Sequence, residues 1–117
     1  MNRSDLDRLR DARVFARRAQ VNAGGLSAAA LTDAWQPQHA ALYNLVIIGE
    51  TLHRVSAEIK AAAPAIDWRD ISDLRNYIVH SYWQIDFEIV ADVIRNRLEV
   101  LIAELDRLIL FVERLER

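Results

Sequence analysis

The sequence predicts an all-α fold: an up-and-down bundle of four to five helices, homodimeric, with one domain over residues 1–117. Three observations predict the bundle. Apolar residues recur at spacings of three and four along almost the whole chain, the period of a helix with one buried face. Only three Gly and two Pro interrupt 117 residues, so the regular elements are long. Hydrophobic residues make up 52% and charged residues 27%, the balance of a folded chain with a core rather than a disordered one.

The elements follow in order. Ser4 with Asp7 three residues on is a helix start, a capping box with Asp for Glu. That helix runs toward Asn22 with Leu6, Leu9, Val14, Ala16 and Val21 facing inward, and Ala23-Gly24-Gly25 stops it. A connector of weak helical character covers Leu26 to Thr32. A second long helix begins near Asp33; Pro37 is tolerated there because first-turn amides have no intrahelical partner. Leu42, Leu45, Val46, Gly49, Leu52 and Val55 form its apolar stripe. Ser56 to Ala63 continues this helix or forms a short separate one, and Pro64 closes it. Asp67 and Asp70 cap a helix from Trp68 toward Val79. The last helix starts at Asp86 and carries Phe87, Val90, Ile94, Leu98, Leu101, Leu105, Leu108 and Val112. About thirty residues at 1.5 Å each span ~45 Å, more than a lone small domain needs. Its stripe broadens over Leu108 to Val112, and such excess apolar surface marks an oligomer interface. Trp35 and Trp68 read as packing residues.

Several function classes are excluded or disfavoured. With no cysteine, disulfides and thiolate metal sites are absent, which fits a reducing cytoplasm. Met1 to Arg10 is charged where a secretion signal is apolar, and no apolar run nears the ~20 residues of a membrane span. His39, His53 and His80 are dispersed without metal-ligand spacing, and Gly24-Gly25 lacks the rest of a phosphate loop. No metal or cofactor is therefore expected. The net charge of −2 exerts no general pull on nucleic acid. Residues 1–20 nonetheless hold six Arg against three Asp, a surface that solvates the helix, guides RNA or docks an acidic partner.

One segment departs from core-and-surface logic: Asp70-Ile71-Ser72-Asp73-Leu74-Arg75-Asn76-Tyr77-Ile78-Val79-His80-Ser81-Tyr82-Trp83. A histidine that titrates near neutrality moves protons, and Arg neutralises a phosphoryl oxygen. Together they suit attack of an RNA 2′-hydroxyl on the adjacent phosphate. Asn76 and His80 share a helix face. Arg75 and His80 lie five apart, about 140° around an ideal helix, and do not converge from one helix. Either the helix ends near Val79 and frees His80, or a second copy completes the site. The purely structural alternative pairs Arg75 with Asp70 or Asp73 and leaves His80 as a cation at a helix C-terminus. Tyr77 and Trp83 flank the motif, where an exposed ring stacks on an RNA base.

Read whole, the segment resembles the Arg-xxxx-His-x-Tyr signature of the HepT-like (DUF86) branch of the HEPN proteins, with Arg75, His80 and Tyr82 in place and polar Asn76 after the Arg. Ile48-Gly49-Glu50 resembles the family's Ile-Gly-Glu. The stretch from Pro64 to Ile71 resembles its lead into the motif, and Gln84-Ile85-Asp86 its Gly-Ile-Asp. The likeness spans nearly the whole chain. It implies a metal-independent endoribonuclease toxin that acts as a homodimer, with a minimal nucleotidyltransferase as cognate antitoxin. Arg75 and His80 would be catalytic, and Asn76 would contact the RNA phosphate or orient His80. Tyr82 would accept AMP. Glu50, Tyr77, Ser81 and Trp83 would support the site, Glu50 by holding Arg75 across the bundle. Ser81 and Gln84 stand where Gly is frequent, which puts the loop shape rather than the chemistry in question. The competing expectation is a non-catalytic helical module that binds a nucleotidyltransferase or a nucleotide.

Overall fold

A computed structural model describes residues 4–116, so Arg3, counted in the charge of the first twenty residues, lies outside the described residues. The elements are α1 (Asp5–Ala23), α2 (Ala28–Asp33), α3 (Trp35–His53), α4 (Ala57–Ala61), α5 (Trp68–Ser81), α6 (Phe87–Asp92), a π-helical turn (Val93–Arg97) and α7 (Leu98–Leu115). The last three run on without a break, so four long helices make the bundle, and its longest extent is 48 Å. No helix among the described residues is long and apolar enough to cross a membrane.

Side-chain caps set the starts. The Ser4 and Ser27 hydroxyls accept from Asp7 N and Ala30 N, and the Asp67 carboxylate accepts from Asp70 N. The second long helix is split from α2 at Ala34, and Gln38 donates back to the carbonyls of Leu31 and Thr32 that the break exposes. Ser56 caps a separate short helix, α4.

The buried face of α1 is Leu6, Leu9, Ala12, Ala16, Ala19 and Ala23. This corrects the expectation for Val14 and Val21, which are 44% and 86% exposed. The alanines hold the inward positions, and Val14, two residues past Ala12, falls on the far side of the helix. Alanine has no side chain beyond Cβ, so α1 lies close against α3 and α7. Trp68 packs on the core and donates its indole N–H to Ala63 O at 3.1 Å. Trp35 does not pack; it opens α3 on the surface beside His39 and is 63% exposed.

The last helix is not regular. At Val93–Arg97 the ladder widens to a π turn, which rotates the register of the residues beyond it. Arg95 donates to Leu26 O at 2.9 Å and Arg97 to Asp70 at 2.7 Å, tying this helix to the α1–α2 connector and to α5. Beyond the turn, Leu105, Leu108, Ile109 and Val112 are buried, while Leu110 and Phe111 remain exposed. Leu105 has no accessible surface. Leu105→Ala is expected to cost about 2–5 kcal/mol, since a cavity adds to the lost transfer free energy, as equilibrium denaturation will measure.

Candidate functional site

Arg75 projects from α5 toward α3, and the reason lies at Gly49. A Cβ placed at Gly49 would sit 2.4 Å from Arg75 Cβ and 2.9 Å from its Cγ. The two helices therefore meet where one has no side chain, and the Arg75 stem fills the space. Gly49→Ala forces backbone rather than a flexible tip to move. Overpacking of this kind costs about 1–3 kcal/mol, against ~1 kcal/mol gained in helix propensity. A lower melting temperature is expected, together with a displaced Arg75.

The guanidinium is held on two sides. Its Nε donates to Glu50 Oε1 at 2.8 Å, and one Nη donates to the same oxygen. The other Nη donates to Asn76 Oδ1 at 2.9 Å. Three of five N–H groups are thus engaged and two remain for another acceptor. The alternative pairing of Arg75 with Asp70 or Asp73 does not occur. Asp70 accepts from Arg97, and Asp73 lies 3.9 Å from Arg69. Glu50 and Arg75 are both partly buried, so their attraction is stronger than that of an exposed pair.

This pair opens on a cleft of about 250 Å³ lined by Gly49, Glu50, His53, Ser72, Arg75 and Asn76. Each helix contributes residues one turn apart: 49, 50 and 53 from α3, and 72, 75 and 76 from α5. A separate apolar groove of about 290 Å³ lies between α3, α5 and α7, with Leu45, Ile71, Leu74 and Leu101 in its walls.

His80 is not part of the cleft. Helix α5 continues to Ser81, which corrects the expectation that it ends near Val79 and releases His80. The imidazole is exposed in the last helical turn and makes no side-chain hydrogen bond among the described residues. Tyr82 and Trp83 follow at once, 60% and 83% exposed, with ring centroids 4.6 Å apart. Ser81 is half-buried inside the helix. No described residue has positive φ, so neither Ser81 nor Gln84 needs the freedom of a glycine. Tyr77 belongs elsewhere: it packs on the core and its hydroxyl accepts from Asp86 N at 2.8 Å, so its ring is not an open platform. Arg75, Asn76 and Glu50 therefore come together, while His80, Tyr82 and Trp83 cluster at the exposed end of the same helix.

Two cleft residues, His53 and Ser72, were not singled out by pattern. The signal was present but indirect: His53 stands three residues after Glu50, on the face that Glu50 shares with Arg75. Among the described residues no group of three His, Asp or Glu gathers as metal ligands.

The chain belongs to the HepT-like ribonuclease family, whose profile matches residues 6–108. It is 28% identical over 76 residues to a Methanocaldococcus jannaschii protein designated a candidate RNase, an alignment over 65% of this chain and 63% of that one. It is 25% identical over 71 residues to a Thermococcus cleftensis protein provisionally designated ribonuclease HepT, over 61% and 64% of the two. The chain thus spans less than two thirds of the length of these relatives. No solved structure matches it significantly.

Proposed function

We propose that this chain is a metal-independent endoribonuclease, the toxin of a type II toxin–antitoxin pair acting in the cytoplasm. The observation that carries the reading is Arg75, braced by Glu50 and Asn76 with two N–H groups unengaged, in the wall of an open cleft. The two free donors bind the scissile phosphate and neutralise charge as the 2′-oxygen attacks. The Asn76 amide, whose oxygen is spent on Arg75, keeps its NH₂ for a phosphate oxygen.

His80 transfers a proton, and a second copy of the chain supplies it. Within one chain the 140° separation stands, because α5 is a regular helix through both residues. A homodimer in which two α5 helices face one another brings one copy's His80 to the other's Arg75 cleft, and the exposed Leu110 and Phe111 offer apolar surface to such a pair. Tyr82 is the acceptor of AMP from a minimal nucleotidyltransferase antitoxin. Its exposure admits a modifying enzyme, and a bulky anion two residues from His80 blocks RNA by volume and by charge. Trp83 presents its ring to solvent and supports the RNA by stacking.

The test is incubation of the full chain with total RNA in EDTA, with the ends of the products analysed and Tyr82 checked by mass spectrometry. Products with 2′,3′-cyclic phosphate and 5′-hydroxyl ends are expected. If a chain unmodified at Tyr82 leaves RNA intact, the ribonuclease reading falls and a non-catalytic module that binds a nucleotidyltransferase or a nucleotide replaces it.

A further inference from the structure

Attack of a 2′-hydroxyl on the neighbouring phosphate moves two protons. The 2′-O–H proton passes to a base as the O2′–P bond forms, and an acid gives a proton to O5′ as the P–O5′ bond breaks. The products are a 2′,3′-cyclic phosphate and a 5′-hydroxyl, and the two carriers end with exchanged protonation states. His80 supplies one of them.

The Arg75 cleft is the place to look for the other. Of the three histidines, His39 lies against Trp35 and His80 lies outside the cleft, while His53 is one of its six lining residues. It ends α3 four residues after Gly49, and its position is fixed through the backbone. Lys60 Nζ donates to His53 O at 2.9 Å, and Arg8 donates to the next carbonyl, Arg54 O, at 3.1 Å. The imidazole itself has no hydrogen-bond or ion-pair partner among the described residues, so both ring nitrogens are available. The charged groups that share the cleft are Glu50 and Arg75, and Lys60 reaches the backbone carbonyl of His53 from α4. Glu50 is committed to Arg75 by two hydrogen bonds, and Ser72 does not titrate near neutrality. His53 is thus the one imidazole in the cleft wall, and among the described residues its ring is not already engaged.

We infer that His53 is the second proton carrier of the cleavage reaction, acting in the same chain as Arg75. This rests on the ribonuclease reading above and adds a residue to its chemistry. The experiment measures kcat, KM and the pH–rate profile of the native chain, His53→Ala and His53→Gln on a short single-stranded RNA. Melting curves establish that each variant is folded. Both variants are expected to lose about 10²-fold or more in kcat with KM changed less than about threefold. Each is also expected to lose one limb of the bell-shaped profile. Gln retains hydrogen bonding but carries no exchangeable proton near pH 7, so its failure to rescue separates proton transfer from positioning. If both variants cleave at the native rate with the bell intact, or if KM alone rises, the inference is overturned while the ribonuclease reading stands. If the native chain cleaves nothing, both fall together.

Discussion

Replacing His80 by alanine is expected to lower kcat for RNA cleavage by about 10²–10⁴ while leaving stability within about 0.5 kcal/mol of native. The two halves of this expectation have one structural cause. An exposed imidazole in the last turn of α5, without a side-chain partner, contributes little to the fold. A large kinetic loss without a stability loss therefore locates His80 in the chemistry. Mixing inactive His80→Ala with inactive Arg75→Ala tests the two-copy arrangement, because a heterodimer of the two rebuilds one complete site. Recovery of activity on mixing is expected; if none appears while dimers exchange, the site does not span two copies.

Arg75→Lys is expected to reduce kcat by about 10²-fold and Arg75→Ala by about 10³-fold. Lysine keeps the charge but concentrates three donors on one atom. It does not hold Glu50 and Asn76 and still leave two N–H groups unengaged, as the planar guanidinium does. Single-turnover rates with saturating RNA isolate this effect from binding. Arg75→Ala also strands the partly buried Glu50 carboxylate, so a lower melting temperature accompanies the kinetic loss. If Arg75→Lys cleaves at the native rate, the planar geometry is not used.

Much of the bundle was legible because helical signals are local. Ser4, Asp67 and the apolar stripe of the last helix depend on neighbours within a turn, and the structure keeps them. Val14 and Val21 misled because hydrophobicity ranks valine above alanine, whereas the close packing of α1 selects the smaller residue. The π turn had no local signature: Val93–Arg97 continues the expected apolar spacing while its backbone widens. At the site, the motif segment announced Arg75, Asn76 and His80 by residue type. The contact between Glu50 and Arg75 needed the second helix, and only the resemblance at Ile48-Gly49-Glu50 pointed to it. His53 has no such signal, because the α5 residues that share its cleft lie 19 to 23 positions away in sequence, a separation that periodicity does not bridge.

Most of the basic side chains of α1 are engaged within the fold. Arg10 and Arg13 are paired with Glu113 and Asp106 on α7, Arg8 with Asp5 and the Arg54 carbonyl, and Arg18 lies over the Phe15 ring. Arg8, Arg10 and Arg13 tie α1 to the rest of the bundle, and binding RNA with them would first require breaking those contacts. If the chain binds RNA as proposed, few counterions would be displaced from the strand, and affinity would fall only gently as salt rises, by roughly 0.7 in log K per decade of salt for each phosphate neutralised. On the ribonuclease reading proposed above, RNA would be selected by what fits between α3 and α5 rather than gathered by long-range attraction, at the salt concentration of a living cell as much as in dilute buffer.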